Sequence, residues 1–159
     1  MDFNSSDIKK YLLKKLEKKS PLIAFCQPKI DFITEKACQI RLPLNDHTKS
    51  HLGSMGFGAL AVGADLTGGL LAWFHIQKMP NNYDFCFAAA QIKFLKKPSS
   101  EVIFCCRDGD LISASLKSLQ PKEKINITIN VIATIESTLF EKKAAVFDLN
   151  LSIKNRGKV

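Results

Sequence analysis

Leu52 to Ile76 reads LGSMGFGALAVGADLTGGLLAWFHI, and its only formal charge is Asp65. A stretch this long and apolar has two fates: it crosses a bilayer or it becomes the buried helix of a core. Six of the chain's eight glycines fall in it, at 53, 56, 58, 63, 68 and 69. A carboxylate at its midpoint is expensive in lipid. The segment therefore predicts a buried core helix over 55–74 and no integral membrane span. A helix apolar on every side needs something wrapped around it.

The remaining segments supply the wrapping. Lys29 to Thr34 and Lys36 to Leu44 alternate with period two and turn at Glu35-Lys36, as a hairpin does. Asn45 to Ser50 is a polar loop, and Pro80-Asn81-Asn82 a turn. Asp84 to Leu95, Glu101 to Arg107, Glu123 to Glu136 and Lys142 to Ile153 read as four further strands. Glu141-Lys142-Lys143 turns between the last two. Leu111 to Leu119 reads as a short helix or a turn-rich stretch. The order is a helix, two strands, the long helix and four strands. That predicts an α+β fold, one antiparallel sheet wrapped around a central helix, in a single domain spanning 1–159.

Residues 5–19 form the first predicted helix. Ser5 or Ser6 caps it, Ile8, Leu12, Leu13 and Leu16 make an apolar stripe, and Ser20-Pro21 ends it. Its other side carries Lys9, Lys10, Lys14, Lys15 and Lys18. A membrane-surface helix and a docking helix with a solvated face both fit, and the second is favoured. Tyr11 is the one aromatic residue among the lysines, and a nucleic-acid partner is not expected. The net charge of +8 is spread along the chain and suits anionic ligands in general. No apolar run follows the first charges, so no signal peptide is expected. Five cysteines at 26, 38, 86, 105 and 106, odd in number and without C-x-x-C, suggest buried free thiols in a reducing cytoplasm. His47, His51 and His75 show no zinc-type spacing, and no metal is expected.

Two features of the long helix point to chemistry. On a 3.6 period, Gly58, Ala61, Val62, Asp65, Gly68, Gly69 and Ala72 share one side. A carboxylate on such a stripe either accepts structural hydrogen bonds or carries a raised pKa suited to a general base. At the start, Gly53-Ser54-Met55-Gly56-Phe57-Gly58 leads into N–H groups without intrahelical partners. Such an end can hold an oxyanion, or it can be a turn that packs tightly.

The run HLGSMGFGALAVGADLTGGLLA (residues 51–72) resembles the hotdog-fold thioesterase superfamily, in particular thioesterases of the phenylacetate-degradation type. Their motif is Asn-x-x-Gly-Thr-x-His-Gly-Gly-Ala followed by an acid. Gly53-Ser54 match its Gly-Thr, Gly58-Ala59 its second Gly and Ala, and Asp65 its acid. QIKFLKKP (91–98) is similar to a strand of the superfamily that ends in a basic residue and proline. The wording of the helix is nearest the branch called domain of unknown function 4442. Gly56 stands at the motif His and Ser50 at the motif Asn. The resemblance implies hydrolysis of an acyl-CoA thioester with no cofactor beyond the coenzyme A of the substrate. It also implies a homodimer or dimer of dimers. The carbonyl oxygen would meet the N–H groups of Phe57 and Gly58, and Asp65, offered across the dimer, would activate water or attack. Ser50, His51, Ser54 and Gly56 would line the site. Lys93, Lys96 and Lys97 are candidates for the coenzyme A phosphates, or simply a solvated strand end. A non-catalytic acyl-CoA or lipid-binding hotdog protein is the alternative.

Overall fold

A computed structural model describes residues 6–135 and 142–158. The elements run α1 (Ser6–Lys19), α2 (Pro21–Phe25), β1 (Lys29–Ile33), β2 (Cys38–Leu42), α3 (Phe57–Ile76), β3 (Asn82–Phe94), β4 (Val102–Cys106), α4 (Gly109–Ser118), β5 (Lys124–Ile135) and β6 (Lys142–Gly157). The six strands form one antiparallel sheet in the order β1-β2-β4-β5-β6-β3. Ser5, Glu136 and Glu141, assigned above to a cap, a strand end and a turn, lie outside the described residues.

The alternation of β2, β4, β5 and β6 turns one row of side chains inward onto α3. Ile40, Leu42, Phe104, Val131, Phe147 and Leu151 are all 0% exposed. Fourteen of the twenty residues of α3 are buried against them and their neighbours. The apolar run is thus the core helix, long and apolar enough for a membrane but enclosed by its own sheet. Two glycines set how closely sheet and helix approach. A Cβ on Gly63 would lie 2.3 Å from the Phe104 ring, and one on Gly68 would lie 3.0 Å from Ile129 Cδ1. With no side chain at these two positions, the rings and methyls of the sheet reach the helix backbone.

Several boundaries differ from those expected. α3 starts at 57 rather than 55 because the Met55 N–H donates to the Pro98 carbonyl and Met55 bridges to Lys49, so Met55 belongs to the loop. It ends at Ile76 because His75 and Ile76 are buried and extend the core contact by another half turn. Pro21 does end α1, and it also opens α2, where its missing N–H costs nothing at the first position. Residues 109–118 are helical throughout. Gly109 packs so tightly on the β1–β2 turn that a Cβ would lie 1.9 Å from the Glu35 carbonyl oxygen.

The basic side of α1 is not uniformly solvated. Lys9 Nζ donates to the Asp31 carbonyl, and Lys15 Nζ sits 5.4 Å from the Trp73 ring centroid. Lys10, Lys14, Lys18 and Lys19 are exposed. None of the five cysteines forms a disulfide, and only Cys26, Cys38 and Cys106 are buried. Cys105 is partly buried, and Cys86 is exposed because it takes an outward position of β3. Cys38 and Cys106 face one another across β2 and β4. Burial pushes the Cys106 thiol up to about 12 and the Cys38 thiol well above its usual range. Neither has the thiolate character that a nucleophile needs.

Candidate functional site

The loop before α3 closes on itself. Ser50 N–H donates to the Ser54 carbonyl at 2.7 Å, and Gly53 N–H to the Ser50 carbonyl at 3.0 Å. Gly53 takes φ +75°, which a residue with a side chain rarely adopts. Ser50 Oγ accepts from Leu52 N–H at 3.2 Å and lies 3.4 Å from Ser54 Oγ. Gly56 N–H donates to the Thr48 carbonyl at 2.9 Å and fixes the entry angle of the helix. A Cβ on Gly56 would sit 3.7 Å from Ser50 Cβ, so Ser50 stands directly beside the helix start. His51 is exposed on the loop.

Gly56 is the N-cap and contributes no side-chain cap. The first intrahelical bond runs from Leu60 N–H to the Gly56 carbonyl, so the N–H groups of Phe57, Gly58 and Ala59 precede the ladder. Phe57 is 61% exposed, and nothing lies within 4 Å of a Cβ on Gly58. The end is open to a ligand. A cavity of about 360 Å³ begins there, lined by Met55, Phe57, Leu60, Phe94, Leu95, Lys96, Lys97 and Pro98. The Phe57 and Phe94 rings meet edge to face at 5.6 Å. Lys96 and Lys97 thus join Phe57 at one opening. Lys93 does not, because neighbouring residues of a strand point to opposite faces and Phe94 takes the inner one. Lys93 is exposed on the other side of the sheet.

Asp65 stands eight residues further along α3. Of the small-residue side expected above, Gly58, Ala61, Asp65 and Gly69 are open or partly open, whereas Val62, Gly68 and Ala72 turn toward the sheet and are buried. Gly68 rests on Ile129, Leu149 and Phe87, so its smallness serves packing. Asp65 borders a second cavity, of about 340 Å³, roofed by α1 and α2 and walled by Leu66, Leu70, Trp73 and Phe85. Its residue surface is open at the cavity mouth, yet desolvation by its apolar surroundings raises the carboxyl pKa. Within the described residues no ion pair or hydrogen bond to Asp65 offsets that cost. This is not a structural aspartate held by neighbouring donors.

The other two histidines lie elsewhere. His47 stacks on Phe25 with ring centroids 4.2 Å apart. His75 Nε2 donates to the Glu35 carbonyl at 2.9 Å, and burial lowers its pKa. No group of three His, Cys, Asp or Glu side chains converges among the described residues. The reading from sequence missed Met55, Phe94 and Leu95 at the first cavity, and Leu12, Leu16, Trp73 and Phe85 at the second. The apolar stripe of α1 was the available signal for the second set, because it had to cover something.

No protein-family model matches the sequence, and no curated protein is similar enough to count as a relative. Solved structures do match over nearly the whole chain. A protein from Shewanella oneidensis with a provisional thioesterase assignment superposes with a TM-score of 0.78 at 20% identity, over 94% of this chain and 99% of that one. A protein of unknown function from Chlorobaculum tepidum TLS superposes with a TM-score of 0.80 at 12% identity, over 96% and 98%. A thioesterase from Haemophilus influenzae superposes with a TM-score of 0.65 at 14% identity, over 98% and 96%. With one antiparallel sheet wrapped on a buried helix, this chain shares with them the hotdog fold.

Proposed function

We propose that the protein is an acyl-CoA thioesterase-like hydrolase of the phenylacetate-degradation type, near the branch called domain of unknown function 4442. In this reading it acts in the cytoplasm as a homodimer. The observation that carries the reading is Asp65, a partly desolvated carboxylate with no partner among the described residues, on the open side of a helix whose uncapped start is also open. The fold is one that provisional and named thioesterases share.

The helix geometry argues for two chains per site. Phe57 and Asp65 are eight residues apart, ~12 Å along an α-helix, whereas a general base works within about 3 Å of its proton. A carbonyl held at one chain's Phe57 and Gly58 N–H groups is therefore out of reach of the same chain's Asp65. A second copy brings the two together. The partner subunit's Asp65 takes a proton from water, and the hydroxide adds to the thioester carbon. The oxyanion is held at the helix start until it collapses, breaking the C–S bond and releasing the protonated thiol and the acid. Lys96 and Lys97 stand at the same opening for the phosphates of coenzyme A. β3 offers the means of pairing. It is the longer of the two edge strands, thirteen residues against five in β1, and is uncharged from Phe85 to Ile92.

A binding protein without turnover is the second reading. Gly56 and Ser50 stand where the motif has His and Asn, and the Ser50 hydroxyl is engaged within its own loop. Mixed dimers separate the readings. Asp65→Asn and Gly58→Val should each lower acyl-CoA hydrolysis about 10²–10⁴-fold. An equal mixture of the two variants forms half mixed dimers, each with one intact site, and should recover about a quarter of wild-type activity. Wild type that binds acyl-CoA without turnover supports the binding protein. No recovery on mixing places the acid and the helix start within one chain.

A further inference from the structure

The cavity behind Asp65 is more than a gap beside a catalytic acid. Its walls are apolar side chains from α1 (Leu12, Leu16), α3 (Leu66, Leu70, Trp73) and β3 (Phe85). The charged groups that border it, Asp65, Lys15 and Lys19, are all partly or fully exposed, so the charge lies at the rim. Among the described residues, Lys9 and Lys15 help fasten α1 over it. Lys9 is bound to the Asp31 carbonyl, and Lys15 lies between the Trp73 and Tyr11 rings, 5.4 Å and 5.9 Å from their centroids. With the chain's own helix as roof and apolar side chains as walls, the cavity suits a slender apolar group that enters past Asp65.

We infer that this cavity is a length-limiting pocket for the unbranched acyl tail of the substrate, roofed by α1 and closed at its far end by Trp73. The inference rests on the thioester reading for where the carbonyl lies. Asp65 and Trp73 are eight helical residues apart, ~12 Å, which limits the tail to about ten carbons. The volume, about 340 Å³, falls at the small end of ligand pockets. Gly69 sits midway along the wall, and a Cβ there would come within 3.9 Å of only the Phe85 ring. A Cβ there makes only ordinary contact, and a larger side chain takes its room from the tail.

Trp73 is the only tryptophan, so its fluorescence reports occupancy without any turnover. The full chain is titrated with straight-chain acyl-CoAs from acetyl to palmitoyl, and thioester cleavage is followed in parallel. Affinity should rise about fourfold per methylene and stop rising near ten carbons. In Gly69→Leu the limit should move to shorter tails, and the ratio of decanoyl to butyryl binding should fall at least tenfold. Leu16→Ala, which hollows the roof instead, should move the limit to longer tails. Circular dichroism melts confirm that each variant is folded. A length limit seen by Trp73 without cleavage upholds the pocket and removes the hydrolase. Cleavage with no Trp73 response, or a limit that neither variant moves, overturns the pocket and leaves the hydrolase standing. A response to every length with no limit also overturns it.

Discussion

Two glycines of α3 that look alike in sequence do opposite work. Gly63 lies under the Phe104 ring, 2.3 Å from where a Cβ would be, and Phe104 is itself 0% exposed and has nowhere to move. Gly63→Ala gains up to ~1 kcal/mol in helix propensity. It loses about 1–3 kcal/mol to overpacking, and with a ring this close the loss should dominate. A melting temperature lower by roughly 3–6 °C is expected for a domain of this size. Gly58→Ala meets nothing and should leave the melt unchanged or slightly raised. Equal melts for the two variants would mean that the ring yields and that the close approach is not needed. Asp65 was readable as the one charge in the apolar run. That it lacks a partner among the described residues required knowing which side chains surround it.

Among the elements, α1 shows how much one surface helix can decide. Its stripe of Ile8, Leu12, Leu13 and Leu16 predicts docking, and Leu12 is buried to 3% exposure. Burying one such leucine is worth about 1.5–3 kcal/mol, most of which is offset by ordering the helix. Deleting residues 1–19 should lower the melting temperature by roughly 5 °C and leave the secondary structure of residues 29–158 intact in circular dichroism. If stability is unchanged while liposome flotation is abolished, the lysine side is a membrane surface instead. The lysines themselves were misjudged as one solvated side. Charge pattern along a helix does not show that Lys15 will reach a tryptophan fifty-eight residues away or that Lys9 will find a strand carbonyl.

The sheet presents one long edge, β3, interrupted by register shifts at Asn82/Tyr83 and Phe87/Ala89. β3 carries no proline, and its charges, Asp84 and Lys93, stand near its two ends. Natural sheets shield such edges with charge, bulges or a partner. A homodimer by light scattering at micromolar concentration is expected. Ala89→Asp, in the exposed middle of the strand, should shift it to monomer and reduce hydrolysis with it. A wild-type monomer, or a dimer indifferent to Ala89→Asp, would rule out pairing through this edge.

Local patterning determined most of the fold. Period-two alternation, the turn residues and an apolar run with a single acid are properties of neighbouring residues. They suffice to call six strands around one buried helix, with boundary errors of a few residues where a loop bridge, a buried histidine or a second proline-started helix intervened. The identity of Asp65, Phe57 and Gly58 as candidates was legible in the same way. What surrounds them was not. Lys96 and Lys97 meet Phe57 while Lys93 faces away, because a strand's register assigns its faces and a sequence window does not show which face is inward. The split of the candidate groups into two cavities follows from the rise of α3, which sets Phe57 and Asp65 ~12 Å apart. The pocket under α1 exists only because residues far apart in the chain close over the same stretch of helix. Long-range packing, which no local pattern encodes, decided where the acid points and what lies behind it.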